Sequence, residues 1–378
     1  MGNPPCSKRT ITVVATIATL VAVPTGLAGA TAGRTAQATV RGPVVLLQSK
    51  PYFPVMLIDQ CTPGAVARAH TLGINTILNE HCDSLSPQRQ LVMIQKRSLA
   101  VLPIENRTVR GSALVGWTFP DEPENNQWTP ATLRKTHSYV RGSSDGLLSF
   151  VTMGGGFLHA PYRDARVSLA TYRAFARLAD VAGFDLYPLG HCETNLSAIY
   201  DAQRAFVALA GSMPTFQWIE TGPIKSSYCG GFTMSPAELR AEVWLAIVGG
   251  ARGIGFFTHT WSPEHNAFDV SPPLQRTMRQ LSDVLGATRS GLLGETLPSS
   301  VDSGAIKLLA RTGNGRTYVF AVNTLRTPVT AKALVPRLHH APLLVFGEGR
   351  SVNVNESRFS DTFGPLAVHV YVQRGNAR

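Results

Sequence analysis

The sequence predicts a (β/α)8 barrel followed by a small antiparallel β-sandwich. Three observations carry this. Short apolar runs alternate with helical stretches eight times between Tyr52 and His259. Many of the helical stretches open on a hydroxyl residue followed by proline. After Leu297 the alternation stops, and turn-separated strand-like runs take over. Eight strand–helix units suit a closed parallel barrel. A doubly wound open sheet is the competing fold, but no GxGxxG turn follows the first strand.

The chain begins with a targeting pattern. Lys8 and Arg9 precede an apolar run from Ile11 to Val23, and A-x-A sites follow, with cleavage expected near Ala30, Ala32 or Ala38. Residues 1–38 are read as a signal peptide and a short exposed lead, so a secreted, extracellular protein is expected. The apolar run is short for a membrane span, which takes ~20 residues. No membrane partner is expected after cleavage.

The barrel is expected over residues 45–292. Its strands are read as Tyr52–Asp59, Asn75–Glu80, Leu99–Ile104, Leu114–Phe119, Leu147–Met153, Gly183–Tyr187, Pro214–Glu220 and Gly253–His259. Most lack polar alternation, as strands buried on both faces do. Helices are read at Pro63–Leu72, Pro87–Arg97, Leu169–Ala182 and Pro236–Val248. Thr62-Pro63, Ser86-Pro87, Thr129-Pro130, Ser235-Pro236 and Ser271-Pro272 mark helix starts. The hydroxyl satisfies a free N–H, and proline at the first position loses no hydrogen bond. Gly73 and Gly249-Gly250 close helices. A β-sandwich is expected over 298–375, with hairpins at Gly313-Asn314-Gly315 and Gly347-Glu348-Gly349.

The formal charge is +11 over 378 residues, with 16% charged. The basic residues stand singly, without the stripe or module that nucleic-acid binding needs. Four cysteines follow the leader. Cys61 and Cys82 stand just beyond the first and second strands, and Cys192 and Cys229 follow the sixth and seventh. Loops leaving the same ends of neighbouring strands start close together. The expected disulfides are therefore Cys61–Cys82 and Cys192–Cys229.

Barrel sites lie at the C-terminal strand ends. The first three strands end in Asp59, in Asn79-Glu80-His81 and in Glu105-Asn106-Arg107. The fourth is followed by Asp121-Glu122-Pro123-Glu124, and the sixth by Asp185-Leu186-Tyr187 and then His191. The seventh ends in Trp218-Ile219-Glu220, and the eighth in His259 with Trp261 beyond. Glycoside cleavage needs one carboxylic acid to protonate the leaving oxygen and one carboxylate facing the anomeric carbon. Glu122 and Glu220 are the candidates. Glu122 is expected protonated and Glu220 ionised, because proximity splits such a pair. His81, His191 and His259 show no HxH or HExxH spacing, and no metal or other cofactor is expected.

The segments Gly116–Glu124 and Phe216–Thr221 resemble those of clan-A glycoside hydrolases. The resemblance implies a retaining O-glycosidase on a (β/α)8 barrel. It implies an acid/base at Glu122, a nucleophile at Glu220, a tyrosine beside the nucleophile at Tyr187 and a tryptophan under the sugar at Trp261. Asp121 departs from it, since asparagine is usual there. Asp59, Glu80, Arg107, Asp121, His191, Trp218 and His259 are further expected contacts to an oligo- or polysaccharide. Asp59 alternatively anchors the first loop, and Glu124 is read as solvated. A non-catalytic barrel that binds glycan is the rival reading.

Overall fold

The computed structural model describes residues 37–82, 84–106, 108–126, 128–143, 146–159, 162, 164–221, 233–258 and 270–374. The expected leader, Arg107, Cys229, His259 and Trp261 lie outside the described residues.

A three-stranded antiparallel meander comes first: β1 (Ala38–Arg41), β2 (Val44–Leu47) and β3 (Lys50–Tyr52). The sequence reading missed it, because strands of three or four residues carry too little pattern. Ala38 and Val45 pack with the barrel interior. The Tyr52 hydroxyl lies 2.8 Å from Thr76 Oγ1 at a strand start. The meander therefore floors the N-terminal end of the barrel.

The barrel strands are β4 (Val55–Ile58), β5 (Thr76–Leu78), β6 (Leu99–Pro103), β7 (Leu114–Thr118), β8 (Leu148–Gly154), β9 (Val181–Asp185), β10 (Thr215–Glu220) and β11 (Gly253–Phe257). Each pairs in parallel with the next, and β11 closes on β4. Met56, Ile58, Leu78, Phe150, Val181, Phe216 and Trp218 fill the interior, while Leu57, Ile77, Val151, Phe184 and Ile219 face the helices. Gly183 and Gly255 make room for the largest of these rings. A Cβ at either would stand 2.2 Å from Phe216 or Trp218.

The helices are α1 (Pro63–Thr71), α2 (Pro87–Ile94), α3 (Pro130–Ser143), α4 (Leu169–Ala176), α5 (Ser197–Ala210), α6 (Pro236–Gly249), α7 (Pro272–Ala287) and α8 (Arg289–Leu292). Three of the five expected caps form through the side chain: Thr62 accepts from Ala65 N, Thr129 from Thr132 N, and Ser235 completes a capping box with Glu238. Ser86 and Ser271 accept no such bond, so there proline alone marks the start. Helix α4 stops at Ala176, short of the expected Ala182, and β9 starts at Val181. The apolar Val181-Ala182 pair reads equally well in either element.

The C-terminal part has a six-stranded antiparallel sheet, β12 (Glu295–Leu297), β14 (Ile306–Gly313), β15 (Arg316–Asn323), β20 (Val368–Arg374), β17 (Leu343–Val345) and β18 (Arg350–Val352), in that order. A three-stranded sheet faces it: β13 (Ser300–Val301), β16 (Val329–Leu334) and β19 (Arg358–Phe363). Strand β19 was missed because Arg358-Phe359-Ser360-Asp361 reads as a polar turn. The larger sheet packs on α6, where Trp244 stacks on Phe320 at 5.5 Å. Helix α6 is buried from Leu239 to Gly249 apart from Arg240 because it lies between two layers. Arg252 Nη1 donates to the carbonyls of Leu292 (2.8 Å) and Gly294 (3.0 Å). Arg311 of β14 donates to the same Leu292 carbonyl.

Candidate active site

Cys61 and Cys82 form a disulfide with Cα atoms 5.3 Å apart, joining the loops after β4 and β5 as expected. Cys192 is disulfide-bonded as well. Its expected partner, Cys229, lies outside the described residues.

Asp59 is 3% exposed and sits in left-handed backbone (φ 48°). Its carboxylate accepts from Glu80 N (2.6 Å) and His81 N (3.0 Å) and lies 3.0 Å from His81 Nδ1. Both oxygens are spent on the neighbouring loop. Asp59 thus ties the loop after β4 to the loop after β5. Glu80 accepts from Thr118 Oγ1 (2.9 Å) and keeps its other oxygen buried without a partner. Burial, then the nearby Asp121 and Asp59, push its carboxyl well above the usual range.

The segment after β7 folds back onto the end of β8. Glu122 N donates to the Thr152 carbonyl (3.1 Å), and Glu122 itself is left-handed (φ 40°). That conformation is uncommon outside glycine and costs about 1–3 kcal/mol. Asn125 Nδ2 donates to Glu122 Oε2 (2.9 Å), and Asn126 Nδ2 to the Asp121 carbonyl (2.8 Å). Glu124 was expected in solvent. Instead, its Oε1 accepts from Gly154 N (2.6 Å), its Oε2 is buried without a partner, and burial raises its carboxyl to about 8. Asp121 is raised to about 7, by burial and then by Glu122.

Asp185 closes β9 and lines the same cavity as Glu122, with its Oδ1 buried without a hydrogen-bond partner. Burial and the carboxylates of Glu122, Asp121 and Glu124 hold it well above the usual range. Sequence reasoning saw Asp185 at its strand end without assigning it. Its position beside the fourth strand's acids became visible only once the barrel closed. Tyr187 packs on Phe257 at 5.3 Å, and burial raises its hydroxyl. His191 Nδ1 lies 2.8 Å from the Tyr187 carbonyl, and its ring meets Tyr162 edge-on at 5.8 Å.

Glu122, Glu124, Tyr162, Asp185, Tyr187 and His191 line a cavity of about 630 Å³ at this end of the barrel. A cavity of about 710 Å³ at the opposite end has Tyr52, His70, Arg97 and Arg279 in its wall, and no carboxylate. Of these two cavities, the first alone brings carboxyls together among the described residues.

Glu220 sits differently from Glu122. It is 0% exposed, and its two oxygens accept from Leu189 N (2.8 Å) and Gly190 N (2.9 Å). Glu242 of α6 acts on it from behind β10; both Glu242 oxygens are buried without a hydrogen-bond partner, and burial, then Glu220, drives its carboxyl well above the usual range. Burial pushes Glu220, expected to stay ionised, up to about 7. Trp218, expected against a sugar, is 1% exposed; its Nε1 donates to Thr152 Oγ1 (3.1 Å) inside the barrel. Inward orientation on a central strand made it core. Arg107, His259 and Trp261 lie outside the described residues. Among the described residues no group of His, Cys, Asp and Glu is arranged to hold a metal ion.

No family model and no curated protein matches the chain. Many solved structures do. An α-amylase from Geobacillus thermoleovorans, complexed with acarbose, aligns with a TM-score of 0.61 at 9% identity, over 86% of this chain and 99% of that one. A putative α-galactosidase/melibiase from Bacteroides fragilis gives 0.58 at 9% identity, over 85% and 79%. A GH30 endoxylanase from Clostridium papyrosolvens gives 0.50 at 11% identity, over 90% and 98%. These neighbours are glycoside hydrolases, in keeping with the resemblance seen in the sequence. At such identities the likeness establishes the fold: a closed parallel barrel followed by antiparallel sheets.

Proposed function

We propose that this chain is a secreted glycoside hydrolase that cleaves O-glycosidic bonds of an extracellular or cell-wall glycan with retention, by double displacement. One observation carries the reading. The Glu122 carboxyl opens into an aromatic-walled cavity at the C-terminal mouth of a (β/α)8 barrel, among carboxyls that burial holds above the usual range. A protonated carboxyl beside a second carboxylate is what protonation of a leaving oxygen requires. The disulfide Cys61–Cys82 supports an oxidising compartment. The acarbose complex of the structural neighbour supports a carbohydrate ligand.

In this reading Glu122 is the acid/base and Glu220 the nucleophile, with Glu80, Asp121, Tyr187 and His191 as polar contacts to the sugar. Arg107, His259 and Trp261 are proposed contacts from the loops around them. For Glu220 to attack, it must exchange the amides of Leu189 and Gly190 for the anomeric carbon. That requirement favours one alternative enough to keep it: a barrel that binds glycan without cleaving it, with Glu220 only bracing the 189–191 turn.

The test is a screen of the purified protein on aryl glycosides and wall polysaccharides, with Glu122→Gln and Glu220→Gln alongside. Turnover with net retention by NMR is expected, with losses of ~10²–10⁴-fold in Glu122→Gln. Near-normal turnover in Glu220→Gln removes the nucleophile role. Glycan binding with no turnover on any substrate establishes the alternative.

A further inference from the structure

The contact between Glu122 and Asp185 is built from three elements. Asp185 pairs in register with Gly154 of β8. It shares inward parity with Val181, which packs in the barrel interior. Glu122 arrives from the loop after β7, with its Oε1 only 2.8 Å from where a Cβ on Gly154 would stand. Gly154 therefore leaves the space that the Glu122 carboxyl occupies beside the end of β9. Glu122 and Asp185 both line the same cavity, Asp185 Oδ1 is buried without a hydrogen-bond partner, and the Glu122 charge acts on Asp185 to hold its carboxyl up. Among the described residues no Lys or Arg bonds to either carboxyl. The Arg166 guanidinium in the cavity wall is tied to Asp164 (2.9 Å).

We infer that Asp185 is the positioning residue of Glu122, sharing one proton with it and presenting that proton to the glycosidic oxygen. The inference rests on the hydrolase reading above. Two neighbouring carboxyls resist ionising together, so such a pair titrates as a unit and holds one proton more tightly than an isolated carboxyl would. The groups around it act in the same direction. Asp121 and Glu124 act on Asp185 from the β7 loop, Tyr187 follows it two residues beyond the end of β9, and Glu220 acts on that tyrosine from β10. His191 completes the wall.

The proton balance is simple. In the first half-reaction the pair's proton passes to the departing oxygen as the C1–O bond breaks and the bond from nucleophile to C1 forms. In the second, a water gives a proton back to the pair while its oxygen bonds to C1 and the nucleophile leaves.

The experiment is the pH profile of kcat/KM for wild type and Asp185→Asn on the best aryl glycoside. Removing a like charge makes the acid partner lose its proton more readily. The basic limb of Asp185→Asn should therefore move to lower pH by about one unit or more, with kcat falling further than KM changes. An unmoved limb overturns the inference. A second arm needs no activity: carboxyl carbon-13 titration of wild type and Glu122→Gln. Asp185 should titrate at lower pH in Glu122→Gln by about one unit or more. An unchanged Asp185 midpoint overturns the pairing, even in a protein that hydrolyses glycosides. If the wild type cleaves no glycoside, the functional reading fails, and this second arm alone decides the pairing.

Discussion

Gly154→Ala should damage activity without damaging the fold. Gly154 ends β8 in extended backbone (φ −68°, ψ 158°), which alanine adopts freely. The added methyl would stand 2.8 Å from Glu122 Oε1, 3.2 Å from Asn125 Nδ2 and 3.3 Å from Glu124 Oε1. Ordinary contact begins near 3.4 Å, so the Glu122 carboxyl must retreat by about 0.6 Å. All three atoms are side-chain ends that can move, and the stability cost is small. Restricting the unfolded chain returns about 0.4–1 kcal/mol. Catalysis is less forgiving, since a displacement near 1 Å can cost about 10²-fold. We expect kcat/KM to fall by ~10–100-fold on the best substrate, with Tm within a few degrees of wild type. Steady-state kinetics and calorimetry on one preparation suffice. Unchanged kcat/KM would show that neither Glu122 nor Glu124 acts from its observed position. A collapse in Tm would show that the end of β8 cannot accept a side chain at all.

Replacing Cys61 and Cys82 by serine opens a loop of 21 residues, and chain entropy predicts a loss of about 3 kcal/mol; a loss below ~1 kcal/mol in urea titrations would mean the bridge does not constrain the unfolded chain as argued. Glu124 is raised by burial to about 8. Its protonated form is favoured in the folded protein, so its contribution is present below the unfolded carboxyl range and lost as pH rises through about 8. Between pH 5 and 8, wild type should lose Tm relative to Glu124→Gln, and parallel Tm curves would count against the assignment. Trp244→Ala removes a 2%-exposed ring stacked on Phe320 and should cost about 3–5 kcal/mol in chemical denaturation; a cost under ~1 kcal/mol would mean the two layers hold together elsewhere.

Much of the fold was legible because its signals are local. Continuous apolar runs identified all eight barrel strands, and hydroxyl–proline pairs marked helix starts. The short meander and β19 escaped because pairing partners, rather than their own composition, make them strands. The candidate site was legible by position and less so by orientation. Strand ends pointed to Glu122 and Tyr187, which line the cavity, and to Asp121 just beyond β7. Whether Trp218 faces a sugar or the core depends on strand parity, and Glu220 looks free until the 189–191 turn closes over it. Glu124 reads as a surface acid until its bond to Gly154 N is seen. Glu242, a lone acid in the apolar run Ala241–Val248, was the overlooked hint that something polar waits behind β10.

Helix α6 also orders the life of the nascent chain. Its inner face is ready to join the barrel as soon as β10 and β11 have been made. Its outer face, with Trp244, waits for Phe320 and the rest of the larger sheet. Chains are made from the N-terminus at roughly 5–20 residues per second. For several seconds an almost complete barrel carries a bare tryptophan-bearing wall, a surface that holdase chaperones and neighbouring copies can bind. A chain cut short before β15 would keep that wall permanently, and its fate would be aggregation or proteolysis rather than a smaller working enzyme.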